Sequence, residues 1–137
     1  MNPLNPLYRL ADRIRYRFHR DTGKRGEDLA HRYLRAQGLL IVARNWRPPQ
    51  GGGEIDIIAC EPSAKGDILV FVEVKTRTSG EFSVPERNID ADKLMALRRA
   101  ARDYARRARA DTERLRFDVI SITGNKIEHF RDAFAPL

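Results

Sequence analysis

Cysteine is all but missing from this chain of 137 residues: Cys60 stands alone. One thiol excludes an intramolecular disulfide and a cysteine-built zinc site, and it fits a reducing compartment. His19, His31 and His129 show no spacing that would pair with that thiol for nucleophilic chemistry, so Cys60 reads as a small residue at a strand end. No apolar run approaches the about 18 residues that cross a bilayer, and the N-terminus lacks the apolar centre of a signal peptide. A soluble, cytoplasmic protein is expected. Low-complexity tracts and internal repeats are lacking too. Acidic residues are outnumbered, 19 against 26 Lys and Arg, which leaves a net charge of +7. That excess suggests a polyanionic partner, nucleic acid first and an anionic membrane surface second. The length suits one domain with a proper core.

What is present reads as alternating helices and strands. In residues 1–23, Leu7, Leu10, Ile14 and Phe18 recur at helical spacing among Arg9, Arg13, Arg15, Arg17 and Arg20, which predicts a basic amphipathic helix. A second helix is expected from Gly26 to about Gln37, with Leu29, Ala30, Tyr33 and Leu34 on one face and Gly38 as its stop. LLIVARN follows as a short strand, WRPPQGGG as a connection holding Trp46, and GEIDIIA as a strand over Glu54 to Ala59. CEPSAKGD turns into the most apolar run of the chain, Ile68 to Val72. TSGEFSVPERN (78–88) is a loop long enough to be functional. Residues 90 to about 110 form the longest helix, with Leu94, Leu97, Ala101, Tyr104, Ala105 and Ala108 inward. Arg98, Arg99, Arg102, Arg106, Arg107 and Arg109 lie outward. LRFDVISI is a strand, and KIEHF a strand or extended tail. The order α-β-β-β-α-β-β, after the N-terminal basic helix, predicts an α/β sandwich around one mixed sheet.

The polar residues within this pattern carry the chemistry. Strand side chains alternate, so Glu73, Lys75 and Arg77 share one face while Val72 and Val74 take the other. In GEIDIIA, Glu54, Asp56 and Ile58 share a face, and Ile55, Ile57 and Ala59 the opposite one. A mid-strand aspartate costs burial energy unless something pairs with it. Seventeen positions separate Asp56 from Glu73, enough for a turn and a return along a neighbouring strand. Two converging carboxylates suit Mg²⁺ (or Mn²⁺), which takes oxygen ligands and keeps several waters. Such an ion polarises a phosphodiester and delivers water as hydroxide. Lys75 would orient that water, ease its deprotonation or stabilise the developing charge. An E-x-K in a strand also occurs as a plain cross-strand ion pair. Asp56 and the basic surface distinguish this one.

Gly26-Glu27, Ala30-x-x-Tyr33-Leu34, Asn45-x-Arg47, GEIDIIA, FVEVKTR, and Lys93 ahead of Ala101-x-x-Tyr104 together resemble the YraN family of uncharacterised bacterial proteins. The resemblance runs from about residue 24 to the C-terminus, which separates a basic extension, 1–23, from a domain, 24–137. It implies a restriction-endonuclease-like three-layer sandwich, similar to archaeal Holliday-junction resolvases. By that resemblance Asp56 is the first metal carboxylate, Glu73 and Lys75 are the E-x-K pair, and Glu27 adds an acidic residue to the metal site. Read without it, Glu27 is a glutamate favoured by a helix N-terminus, where Asp28 competes for the role. Glu54 is an alternative or supporting ligand.

A metal-dependent nuclease is the leading expectation, acting on DNA ahead of RNA and on shape rather than sequence. Arg77, Lys93, Arg98, Arg99, Arg102 and Arg106 are the candidate phosphate contacts, salt-sensitive and sequence-independent. Lys93 is equally an ordinary solvated lysine. Tyr33 and Tyr104 read as core residues and Trp46 as a loop anchor. Cutting two strands calls for two sites, which a homodimer would supply. A non-catalytic nucleic-acid-binding module and an adaptor working through the N-terminal helix are the alternatives.

Overall fold

The apolar run Ile68–Val72 lies on the middle strand of the sheet, with Val70, Phe71 and Val72 buried and Ile68 and Leu69 half-buried. The computed structural model describes residues 22–77 and 91–134. They form helix α1 (Thr22–Ala36), strands β1 (Leu40–Trp46), β2 (Ile55–Glu61) and β3 (Ile68–Arg77), helix α2 (Ala91–Arg107), and strands β4 (Leu115–Thr123) and β5 (Lys126–Phe130). This is the expected order, with KIEHF a true strand. The expected helix over 1–23 falls almost wholly, and the loop 78–88 wholly, outside the described residues.

The five strands make one mixed sheet in the order β1-β2-β3-β4-β5. β3 pairs parallel to β4 across the α2 crossover, and the other neighbours are antiparallel. Alternation then sorts the side chains into two cores. Ile57, Ala59, Val70, Val72, Ile120 and Ile122 pack with Ala30 and Leu34 of α1. Ile58, Phe71 and Phe117 pack with Leu97, Ala100 and Ala101 of α2. A strand buried on both faces needs a continuous apolar run, which is why Ile68–Val72 shows no polar partner at every second place. Among the described residues no helix is long and apolar enough to cross a membrane.

Several local expectations are corrected. α1 begins at Thr22, four residues before Gly26, so Glu27 lies past the first turn and the capping account of it fails. Gly38 does end the helix: at φ +97 it lets Leu39 N–H reach Leu34 O and its own N–H reach Arg35 O, the glycine-closed pattern of a helix C-terminus. β2 runs to Glu61 because Cys60 and Glu61 pair with Leu69 and Ile68, and Glu54 precedes it. Trp46 closes β1 opposite Ile55 rather than sitting in the loop, although it does anchor, edge-on against Tyr104 at 5.2 Å. Ile55 joins the core of Ile58 instead of that of Ile57, since it lies beyond the last β2–β3 pair. α2 stops at Arg107, with Arg109 at φ 54, which leaves Ala108 exposed rather than inward.

A register shift between Ile41 and Ala43 marks a bulge in β1. Val42 and Ala43 both join the α2-side core, so the strand resumes one step out of phase. Arg44 is thereby turned toward α1, where it meets Asp28 at 2.8 Å with both side chains buried.

Candidate metal centre

The candidate site forms where β2 and β3 part. Their ladder ends at the Ile57–Val72 pair, while β1 stays with β2 to Trp46–Ile55 and β3 with β4 to Arg77–Thr123. Asp56 turns its carboxylate into the opening, and its Oδ2 accepts a 2.8 Å hydrogen bond from Val74 N–H. A side chain thus satisfies a donor that a continuing ladder would have used.

Other carboxylates converge from separate elements. Ligand oxygens of Glu27 on α1, Glu54 before β2 and Asp56 on β2 all lie within 4.8 Å of one another. Glu27 reaches this point because α1 crowds β3 at Gly26, where a Cβ would stand 2.5 Å from Thr76 Oγ1. Gly53 permits a similar approach to α2: its Cβ would meet the Ala96 backbone at 3.1 Å. Asn45, at φ 50, ties the group together. Its amide nitrogen donates to Glu27 Oε1 and, at 2.9 Å, to Glu54 Oε1. Arg47 Nε donates to Glu54 Oε2 at 2.7 Å. Glu73 is buried beside them, and Lys93 from α2 donates to its Oε1 at 2.8 Å.

So much negative charge in one place resists ionisation. Burial, then the charge of Glu73, with smaller contributions from Glu27 and Glu54, pushes the Asp56 carboxyl up to about 8 against the Val74 hydrogen bond. The two lysines move apart. Burial and the neighbouring Lys93 lower Lys75 below its ordinary value, with Glu73 and Asp56 offsetting only part. For Lys93 burial pulls downward, but the hydrogen bond and charge of Glu73 outweigh it and the ammonium is held more firmly. An all-oxygen set carrying excess negative charge fits a hard divalent cation, which would relieve the repulsion that now favours a proton on Asp56.

The expected residues fall into four groups. Glu27 and Asp56 come together with Glu54, while Glu73 and Lys75 stand on the adjoining face of β3 with Lys93. Arg77 is buried at the end of β3, rather than lying on the surface. On α2, Arg98 is half-buried and Arg99, Arg102 and Arg106 are exposed. Asp103, buried on the same helix, binds Arg106 and Arg107, the latter at 3.0 Å. Sequence reasoning missed Asn45 as a bridge and Asp103 as an anchor. Asparagine is enriched at positive φ, which is a cue to the backbone at Asn45 and not to the bridge it makes.

The far end of the sheet carries a second polar cluster. Asp118, fully buried, accepts from Arg116 at 2.8 Å, from His129 Nε2 at 2.7 Å and from Asp132 N–H at 3.0 Å. The hydroxyl of Tyr33 lies 3.1 Å from His129 Nδ1, and Arg116 clasps Glu61 at 3.0 and 3.1 Å. Every charge there has a partner, as burial demands. Cys60 is half-buried, and burial and Asp67 raise its thiol, which makes it a poor nucleophile.

Residues 26–122, from Gly26 through Ile122, match the sequence model of the Uncharacterised protein family UPF0102. The chain belongs to UPF0102. This is the YraN family of the motif resemblance. A UPF0102 protein of Solibacter usitatus is 52% identical over 132 residues, covering 93% of this chain and 97% of the relative. One of Rhodococcus opacus is 44% identical over 117 residues (82% and 94%), and one of Bacteroides thetaiotaomicron 41% over 122 residues (86% and 95%). The Solibacter match covers too much of the chain to leave out all of residues 1–23, so the likeness to UPF0102 relatives reaches into the basic extension. The matched core contains Glu27, Asn45, Glu54, Asp56, Glu73, Lys75 and Lys93.

Proposed function

We propose that this UPF0102 protein is a metal-dependent nuclease on a restriction-endonuclease-like fold, hydrolysing phosphodiester bonds in DNA by shape rather than sequence. The observation that carries this reading is the convergence of Glu27, Glu54 and Asp56 within 4.8 Å, next to a β3 lysine whose ammonium is weakened. Mg²⁺ or Mn²⁺ held there would polarise the scissile phosphate and supply a water as hydroxide. Glu27 and Asp56, both expected from the resemblance, would be two of its ligands. Glu54 is the third, and Glu73 adjoins them. Lys75, partly desolvated and lowered, suits orienting the attacking water and easing its proton away. The exposed Arg99 and Arg102 of α2 supply a cationic surface for flanking phosphates. A second copy of the chain would provide the second cut of a duplex.

Calorimetric titration of Mn²⁺ into the wild type and into Asp56→Ala/Glu73→Ala, with cleavage of duplex, single-stranded and four-way-junction DNA in the same samples, tests this. Ion binding and cleavage should both vanish in the double variant. Absence of ion binding by the wild type, with both proteins holding DNA equally, would leave a binding module and overturn the enzymatic reading.

A further inference from the structure

Lys93 stands in the first turn of α2, where a cation opposes the helix dipole. Something other than helix stability holds it there. Its ammonium lies 2.8 Å from Glu73 Oε1, and the side chains are 41% and 9% exposed respectively. The carboxylate is therefore the buried partner and the ammonium the more exposed one. Glu73 is near enough for its charge to act on Asp56, yet the close group of ligand oxygens is Glu27, Glu54 and Asp56. Leu97, Ala100 and Ala101 press α2 onto the sheet, which fixes the backbone from which Lys93 extends.

Phosphodiester hydrolysis builds negative charge on the leaving oxygen as well as on the attacking one. Two-metal sites answer with two cations about 3.5–4 Å apart. Here one trio of carboxylates can take one divalent ion, while the remaining carboxylate already holds a protein cation. We infer that Lys93 is the second cation of the site, so that the centre takes a single divalent ion and the Lys93 ammonium, seated on Glu73, stabilises the leaving oxygen. This rests on the nuclease reading. In the step, the oxygen of the attacking water forms a new bond to phosphorus and its proton passes to solvent. The bond from phosphorus to the leaving oxygen breaks, with its electron pair on that oxygen. Lys93 supports this charge as an ammonium throughout, and solvent supplies the proton that completes the alcohol.

The test compares Mn²⁺ titration calorimetry of full-length wild type, Lys93→Gln and Lys93→Arg, with DNA cleavage measured alongside. The wild type should bind one ion per chain. Lys93→Gln removes a positive charge from beside the carboxylates and frees Glu73, so Mn²⁺ should bind about tenfold tighter while cleavage falls about a hundredfold. Lys93→Arg keeps the charge, and should hold ion affinity near the wild-type value and retain more cleavage than the glutamine variant. Two ions in the wild type, or an unchanged Mn²⁺ affinity in Lys93→Gln, would overturn this role for Lys93 and leave the nuclease reading standing. No ion in the wild type would remove both.

Discussion

Gly26 shows how much of the site depends on a missing side chain. Alanine inside a helix is favoured over glycine by about 1 kcal/mol, so Gly26→Ala should stabilise α1 if nothing opposed it. The new Cβ would stand 2.5 Å from Thr76 Oγ1, which forces either helix or strand to give. We expect Gly26→Ala to yield no gain in denaturant midpoint in the wild-type background. In a Thr76→Ala background the same change should gain about 1 kcal/mol. Equal effects in the two backgrounds would refute the contact. Asn45 makes a second residue-scale case. Asn45→Ala loses the bridge between Glu27 and Glu54 and should weaken Mn²⁺ binding about 10- to 100-fold, as loss of ligand-orienting partners does. Asn45→Gly, which relieves the positive φ without restoring the bridge, should recover stability and not affinity. The motif letters Asn45-x-Arg47 were visible in the sequence, but nothing in them told that the asparagine would face two carboxylates.

At the scale of elements, alternation and apolar runs located β1 to β4 and left KIEHF open as a strand or a tail, because burial on one or both faces is what a strand's composition records and β5 has no buried residue. They could not locate the bulge in β1. Leu39 to Ala43 is apolar on both faces, so a one-residue slip leaves no trace in the pattern, and the Arg44–Asp28 pair that depends on it stayed hidden. On α2 the pattern found an arginine-rich exterior without distinguishing its members. Arg99 and Arg102 are exposed, whereas Arg106 and Arg107 are engaged by Asp103. Those two guanidinium groups hold the Asp103 carboxyl below its ordinary value despite burial. If α2 binds DNA phosphates, Arg102→Ala should flatten the dependence of log affinity on log salt by about 1. Arg106→Ala should change it less, its charge being already spent on Asp103. Asp103→Asn should steepen it, and identical slopes for all three would argue against α2 as the contact surface.

For the whole molecule, the two polar clusters give opposite responses to pH. Asp56 ionises near its ordinary 3.8 when unfolded and at about 8 when folded. Between those values the folded protein keeps a proton that the unfolded chain has lost, so the metal-free protein loses stability as pH rises from about 4 to 8. Asp118 behaves the other way. Burial alone would raise it, but His129, Arg116 and the Asp132 N–H lower it to about 2. Its contribution is present above the ordinary carboxylate value and is lost as pH falls from about 4 toward 2. Thermal melting of metal-free protein should therefore show a shallow maximum in mild acid. Asp56→Asn should flatten the alkaline limb and gain at least about 2 kcal/mol at pH 8, leaving the acid limb in place. An unaltered alkaline limb would mean that Asp56 is not the group responsible.

One helix touches both clusters: Glu27 on α1 belongs to the candidate metal centre and Tyr33 to the Asp118–His129 network. Six residues, about 9 Å of axial rise, set the interval between them. α1 thus works as a ruler laid along the sheet. Inserting a single residue between the two marks would lengthen it by about 1.5 Å and rotate one contact by about 100° relative to the other, so the chain can keep one appointment or the other but not both. Length is constrained there more tightly than composition, and only substitutions that preserve the count leave both ends of the sheet intact.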